Sequence, residues 1–282
     1  MNYIKGVTLI ILSSLFFTMN ATLVKLLVDI PLYEKVFVRN ILGVIFILPI
    51  IIKGDVSLFI EKEHRSNLLF RCLLGFLGII AYYYAIDNMI LSDAAILNKL
   101  NPFFVILFSV LLLKEKLKEY QVISIIFAFL GALFVIKPTF DFSMLPALAA
   151  LVSAVFAGGA YTAIRSISGK VSPSIIVFYF SLFTSVMTFI ILLGNEIVIP
   201  DFRQALGLIL MGLSATAAQV LMTSAYKYAE ASRISIYNYS SIIFALIMTY
   251  TFFDDIPDMF SILGGIIIIL SGIYNFKNNL RI

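Results

Sequence analysis

Moved along itself by 140 residues, this chain aligns without a gap, setting Ser13 on Ser153, Thr22 on Thr162, Lys25 on Arg165, Asn98 on Asn238 and Glu115 on Asp255. Each half holds five apolar stretches near the ~20 residues that a helix needs to cross hydrocarbon. They run roughly Gly6–Val28, Tyr33–Ile52, Asn67–Ile86, Ser92–Leu113, Gln121–Ile136, Met144–Ile164, Pro173–Leu193, Gln204–Tyr226, Ser232–Phe253 and Met259–Phe276. Five is odd, so the second half must enter a membrane upside down relative to the first. The expected fold is an all-α integral membrane protein of ten transmembrane helices, built as two inverted five-helix repeats, residues 1–140 and 141–282. Inverted repeats recur in secondary transporters, where one bundle rocks against the other around a site near the midplane. A duplicated membrane scaffold with no substrate would show the same pattern.

A soluble fold is excluded by composition. Hydrophobic residues make up 61% of the chain and charged ones 13%, with a mean hydropathy of +1.05, and no water-soluble core hides that much apolar surface. The two longest connections, Lys53–Ser66 and Gly194–Arg203, leave no room for a soluble domain between spans. The first span reads as a retained helix, being too long for a signal-peptide core and lacking a small-residue cleavage pattern. Cys72 stands alone, which rules out an intramolecular disulfide and a thiolate metal cluster. His64, the one histidine, lies in the charged run Glu61–Arg65 and reads as a solvated loop residue. The net charge of +4 reflects distribution rather than a nucleic-acid partner, since no basic groove interleaved with aromatic residues is present.

That distribution carries orientation. Under ten spans, Lys25, Lys35, Lys137 and Arg203 fall on one side, while fourteen Lys and Arg, among them Lys5, Arg71, Lys114, Arg165 and Lys277, fall on the other. The positive-inside rule makes the richer side cytoplasmic, with both termini inside. The outer loops are acidic, with Asp87, Asp93, Asp254, Asp255 and Asp258.

Ionisable and polar groups inside spans are costly unless they face a cavity or a partner. Arg39 lies roughly 9 Å into the second span and Lys99 roughly 10 Å into the fourth, counted at about 1.5 Å per residue from the outer ends. Asn20 reaches a similar depth, Asn98 adjoins Lys99, and Asn101 follows one turn below. These residues are expected to bound the outer half of a central cavity. Snorkelling to headgroups is the alternative for Arg39 and Lys99, and it suffices for Lys25. Pro102 removes an amide donor and frees the carbonyl of Asn98, predicting a locally opened helix of the kind tolerated where it lines a cavity. Its counterpart is Ile242, so the opening is not expected to be symmetric between the halves.

Mirrored into the inner half, Arg39 becomes Tyr179, Lys99 becomes Tyr239 and Asn98 becomes Asn238, with Tyr161 and Tyr237 nearby. The outer half thus reads as cationic and the inner half as aromatic and hydroxylic, suiting a carboxylate with an apolar or ring-bearing body. Of Tyr82, Tyr83 and Tyr84 at least one must point inward, and Tyr83 joins the candidate ligands with Gln219 and Thr223 of the eighth span. Belt anchoring is the competing role for any tyrosine near a span end.

All sixteen acidic residues fall in loops or near span ends, which disfavours simple ion coupling, although a lysine with a lowered pKa could carry a proton. No phosphate loop, zinc-spaced histidine pair or nucleophile elbow occurs. No catalytic residue, cofactor or metal is expected, and an enzyme would have only Glu61, Glu63 and His64 to work with.

Three stretches carry a family likeness: Glu34-Lys35-Val36-Phe37-Val38-Arg39, the run Ala81–Leu117 with Asn101-Pro102-Phe103-Phe104 and Leu113-Lys114-Glu115-Lys116-Leu117, and Ala225–Pro257. The chain resembles the drug/metabolite transporter superfamily in its ten-helix EamA branch. That resemblance implies a central cavity made by both halves, alternating access in the cytoplasmic membrane, and substrates such as amino acids, organic acids, nucleosides, S-adenosylmethionine or drugs. It assigns site residues only through Arg39, which matches an arginine often seen in that span, while Glu115 and Asp255 match positions that fix helix ends. The expected function is secondary transport of a small zwitterionic or anionic metabolite by a lipid-embedded monomer or weak dimer. Export of drugs or organic cations is the alternative, and it would prefer a membrane-embedded acid.

Overall fold

The computed structural model describes residues 2–54, 56–138, 142–167, 169–195, 197–228 and 235–279. Among the described residues, eleven α-helices follow in chain order: α1 Asn2–Leu26, α2 Leu32–Lys53, α3 Lys62–Asn88, α4 Leu91–Asn98, α5 Asn101–Leu113, α6 Glu119–Ile136, α7 Leu145–Ile167, α8 Pro173–Leu192, α9 Phe202–Tyr228, α10 Ser240–Phe253 and α11 Met259–Asn279. Short 3-10 segments occupy Phe142–Met144 and Ser235–Tyr239. With α4 and α5 taken as one broken span and Ser235–Tyr239 joined to α10, ten segments are long and apolar enough to cross a membrane.

Local chemistry sets the helix ends. Pro173 opens α8, where its missing amide is not needed. Asp201 and Gln204 exchange hydrogen bonds at the start of α9, the amide of each donating to the side chain of the other at 2.9 and 2.8 Å, which satisfies two orphan donors. Lys114 and Asp254 close α5 and α10 in the left-handed conformation, with φ of 55° and 52°. These two residues are related by the 140-residue shift, so the same rare cap recurs in each half.

The helix break also recurs, so the opening expected to be asymmetric has the same carbonyl arrangement in both halves. At Asn98–Asn101 the freed carbonyl of Asn98 accepts from Asn101 Nδ2 at 2.7 Å. At the shifted position the carbonyl of Asn238 accepts from Ser241 Oγ at 3.0 Å. A side-chain donor three residues on satisfies the carbonyl in both places, so Pro102 is not required for the opening.

The strongest packing joins the two halves rather than holding each together: α3 lies on α7, α1 on α9, α2 on α8 and α6 on α11. Exchanging the halves maps this pattern onto itself. Small residues permit the closest crossing, at Gly131 of α6 and Gly264 of α11, where a Cβ on Gly131 would stand 2.8 Å from the Gly264 carbonyl and one on Gly264 would strike the Gly131 carbonyl. Gly264→Val is therefore expected to lower stability by about 2–3 kcal/mol through overpacking against backbone that cannot yield. Ile266→Val, on the exposed face of the same helix, serves as control. Equal melting shifts for the two in detergent would show that the crossing is not tight.

Helix α3 begins five residues before the apolar run that marked it, and the connection from α2 shrinks to match. Ile60 and Leu68 enter one apolar cluster with Ile47 and Ile51 of α2, and this draws the first turn of α3 inward. His64 consequently is buried, with Nε2 3.8 Å from Glu61 Oε2, and is not a solvated loop histidine.

Candidate functional site

The face opposite the N-terminus is tied together by polar groups on the first and last turns of helices. Lys35, in the first turn of α2, is 0% exposed and donates to both carboxylate oxygens of Asp87 at 2.8 and 2.9 Å and to the Val24 carbonyl at 3.0 Å. Beside it Glu34 accepts from the Val198 amide at 2.8 Å. Lys25 donates to the Met89 carbonyl at 2.5 Å with its ammonium over the Phe253 ring, so it locks helices instead of snorkelling. Asp93 is buried in the first turn of α4, where Oδ2 accepts from Ser261 at 3.0 Å and Oδ1 finds no donor. Asp93, read as a loop acid, thus lies inside the bundle near its end, while Asp87 stays partly exposed in the last turn of α3. A large apolar cluster from α1, α2, α3, α4 and α7 fills the same half.

On this face Lys137 also reaches Asp258 at 2.5 Å, and that ammonium, with the Ser261 amide, holds the Asp258 carboxyl below its ordinary value. Because the folded value is depressed, the stabilisation is complete above the unfolded carboxylate value of about 3.9 and disappears as pH falls through the folded one. The pair is exposed, so its worth is under about 1 kcal/mol. The stability difference between the parent and Asp258→Asn is expected to be small at neutral pH and to close below about pH 4; a difference unchanged at lower pH would remove the ion pair as its cause.

On the N-terminal face the ties join helix ends and loops, among them Lys170 with Glu63 at 3.9 Å, Tyr120 with Asn279 at 3.2 Å and the Tyr179 hydroxyl donating to the Leu58 carbonyl at 2.9 Å. Glu115 pairs with Arg165 at 2.9 Å, joining the ends of α5 and α7. Tyr3 and Tyr237 meet hydroxyl to hydroxyl at 3.3 Å on the exposed rim. The shifted counterparts of Glu115 and Arg165 are Asp255 and Lys25, but Lys25 is held by the Met89 carbonyl and the Phe253 ring, so among the described residues the ion pair of the N-terminal face has no equivalent on the other.

Between the two faces lie the buried groups with unused donors. Arg39 of α2 is 7% exposed, its Nε and Nη1 have no acceptor, and its guanidinium stands 6.0 Å from the centre of the Tyr83 ring. Tyr83 is the inward member of its run, while Tyr84 is exposed. The Tyr83 hydroxyl donates to Asn20 Oδ1 at 3.1 Å, and Asn20 Nδ2 donates to the Met211 carbonyl at 3.0 Å. Arg39, Tyr83 and Asn20 thus form one cluster from α2, α3 and α1, in which Arg39 has two nitrogens with no acceptor at all.

A second group surrounds the break between α4 and α5. Asn98 Nδ2 donates to Ser153 Oγ of α7 at 3.0 Å. Lys99 is half-buried at the break, with no ion pair among the described residues. Asn101 and Asn238 are engaged in the two helix breaks, Asn101 through its side chain and Asn238 through its carbonyl. The predicted inner-half ligands are less well gathered. Tyr161 and Gln219 are half-buried, Tyr237 sits at the rim, and the side chain of Thr223 lies outside the described residues. Tyr239 does not face an open path: its ring fills the notch left by Gly272 of α11, and its hydroxyl is buried without a partner.

Arg71 of α3 is the residue that sequence reading missed, having been counted with the charges of the N-terminal side. It is 6% exposed, its Nε has no acceptor, and its guanidinium lies over the Phe180 ring at 4.2 Å. The signal was available, since Arg71 interrupts an otherwise apolar run from Asn67 to Leu74.

The sequence model of the EamA-like transporter family matches this chain twice, over residues 4–137 and 144–276. The chain belongs to the EamA-like transporter family. Among the relatives of this EamA-like transporter is the pseudopaline exporter CntI of Pseudomonas aeruginosa, 35% identical over 95% of this chain and 94% of that protein. Human solute carrier family 35 member G1 is 25% identical over 95% of this chain and 78% of that one. A solved crystal structure shares the fold with a TM-score of 0.68 at 16% identity, over 99% of this chain and 98% of the other. The EamA-like transporter is a multi-pass membrane protein that moves small metabolites.

Proposed function

We propose that this transporter carries a small zwitterionic or anionic organic metabolite across the cytoplasmic membrane by alternating access, with Arg39 holding the substrate carboxylate. One observation carries the reading: a guanidinium buried at membrane depth with two donor nitrogens unpaired. An uncompensated buried charge costs several kcal/mol, and a planar carboxylate is the partner that a free arginine fork fits best. Lys99 stands at the helix break as the second attractive charge, and Tyr83 supports the Arg39 guanidinium from below. Residues 1–140 and 141–282 act as the repeat units, and both termini face the cytoplasm, in keeping with the charge bias of the loops. Likeness to an exporter makes efflux the first direction to assay.

A second reading, movement of organic cations, is favoured by the half-satisfied carboxylate of Asp93. One experiment separates the two: proteoliposomes loaded with radiolabelled amino acids and organic acids, or with tetraphenylphosphonium, followed for counterflow. Saturable exchange of a carboxylate supports the first reading. Exchange of the cation alone, lost in Asp93→Asn, replaces it.

A further inference from the structure

Resting on the reading of Arg39 as a carboxylate site, the geometry points to a second anion subsite at Arg71, and so to a substrate with an acidic group at each end. Neither arginine has an acid to neutralise it among the described residues. Both side chains are more than nine-tenths buried, which removes headgroups as their partners. They act on one continuous stretch of α3. The Arg71 guanidinium folds back over Gly75, where a Cβ would strike Nη1, and Arg39 stands over Tyr83. Gly75 and Tyr83 are eight residues apart, about 12 Å along the helix, and the reach of the side chains shortens the gap. In the low dielectric of the bundle, two like charges at that separation oppose each other.

A pair of like charges in a low-dielectric bundle repel each other and stay poorly solvated until an anion enters. A single carboxylate can neutralise only one of them. A di-acid with a spacer of several atoms neutralises both and lays its body along α3, between Phe180 at one end and Tyr83 at the other. Stacking on Phe180 fixes the plane of the Arg71 guanidinium and leaves its edge, including the unpaired Nε, to a second acidic group. Glycine at position 75 is what lets the side chain lie back in this way.

The test uses purified full-length protein in detergent and straight-chain dicarboxylates from succinate to suberate, each compared with its monoamide, which removes one charge at nearly constant shape. Melting midpoints give apparent affinities by mass action. The expected result is that at least one diacid binds about 10- to 100-fold more tightly than its monoamide, as a charge-assisted hydrogen-bonded pair would give. In Arg71→Gln this preference disappears while monoamide binding persists, and in Arg71→Lys part of it returns. Arg39→Gln weakens both ligands. Should Arg71→Gln not remain monodisperse, the lysine variant and the diacid-to-monoamide ratio of the parent protein still decide. Equal binding of diacid and monoamide, or a ratio unchanged by the Arg71 variants, overturns the second subsite and leaves the Arg39 reading standing. Absence of binding by every carboxylate removes both.

Discussion

Asp87→Leu is expected to destabilise the protein by about 3–5 kcal/mol, the range for stripping one partner from a buried ion pair. The reason lies in Lys35, whose side chain has no exposure and whose ammonium is held by both Asp87 oxygens and the Val24 carbonyl. Without Asp87 one carbonyl must satisfy a full charge, and the aliphatic stem packed among α1, α2 and α3 cannot withdraw to water without opening the outer face. Lys35→Met alone should cost less, because the half-exposed Asp87 can turn towards solvent. The double replacement, Lys35→Met with Asp87→Leu, should recover most of the loss, since a well-packed apolar pair often matches a buried ionic one. Unfolding of the four proteins in one detergent gives the coupling energy directly. A value near zero would mean that the pair is solvated and seals nothing.

Arg39→Gln is expected to reduce carboxylate transport about 100-fold or more, the loss of two charge-assisted hydrogen bonds, while leaving the melting temperature unchanged or raised. The combination is diagnostic because the two roles of a buried arginine predict opposite signs. An arginine that ties helices together loses stability when shortened and neutralised. One held without acceptors relieves the unbound protein of an unpaired charge when it is removed. Counterflow in proteoliposomes, read beside melting curves of the same preparations, decides between them. A lowered melting temperature with transport retained would make Arg39 structural.

Much of the membrane architecture was legible because hydropathy over ~20 residues reports a local property, whether a segment can lie in hydrocarbon. The number of spans, the 140-residue repeat and the inward turn of a Tyr82–Tyr84 residue follow from composition and period. Arg39 was legible too, as a charge far from either end of an apolar run. Lys35, Asp87 and Arg71 were not, for each lies within a few residues of a span end as hydropathy draws it, where a charge is ordinarily solvated. The burial of Lys35 and Arg71, and the ion pair that Asp87 makes, depend on neighbours distant in sequence: Val24 and Asp87 around Lys35, Phe180 beside Arg71.

The second helix break shows the same division. A proline announces the first, but the second depends on Ser241 reaching the Asn238 carbonyl and on Tyr239 settling over Gly272 of α11, contacts that no short window contains. By itself the sequence determined that this chain lives in a membrane as ten helices with an internal repeat, since a continuous apolar segment has only one stable way to satisfy its backbone in lipid. The tertiary structure alone decided which helices of one half lie on which of the other. It therefore decided which charges are neutralised and which are left without an acid among the described residues, because pairing is set by three-dimensional neighbours and not by depth along a span.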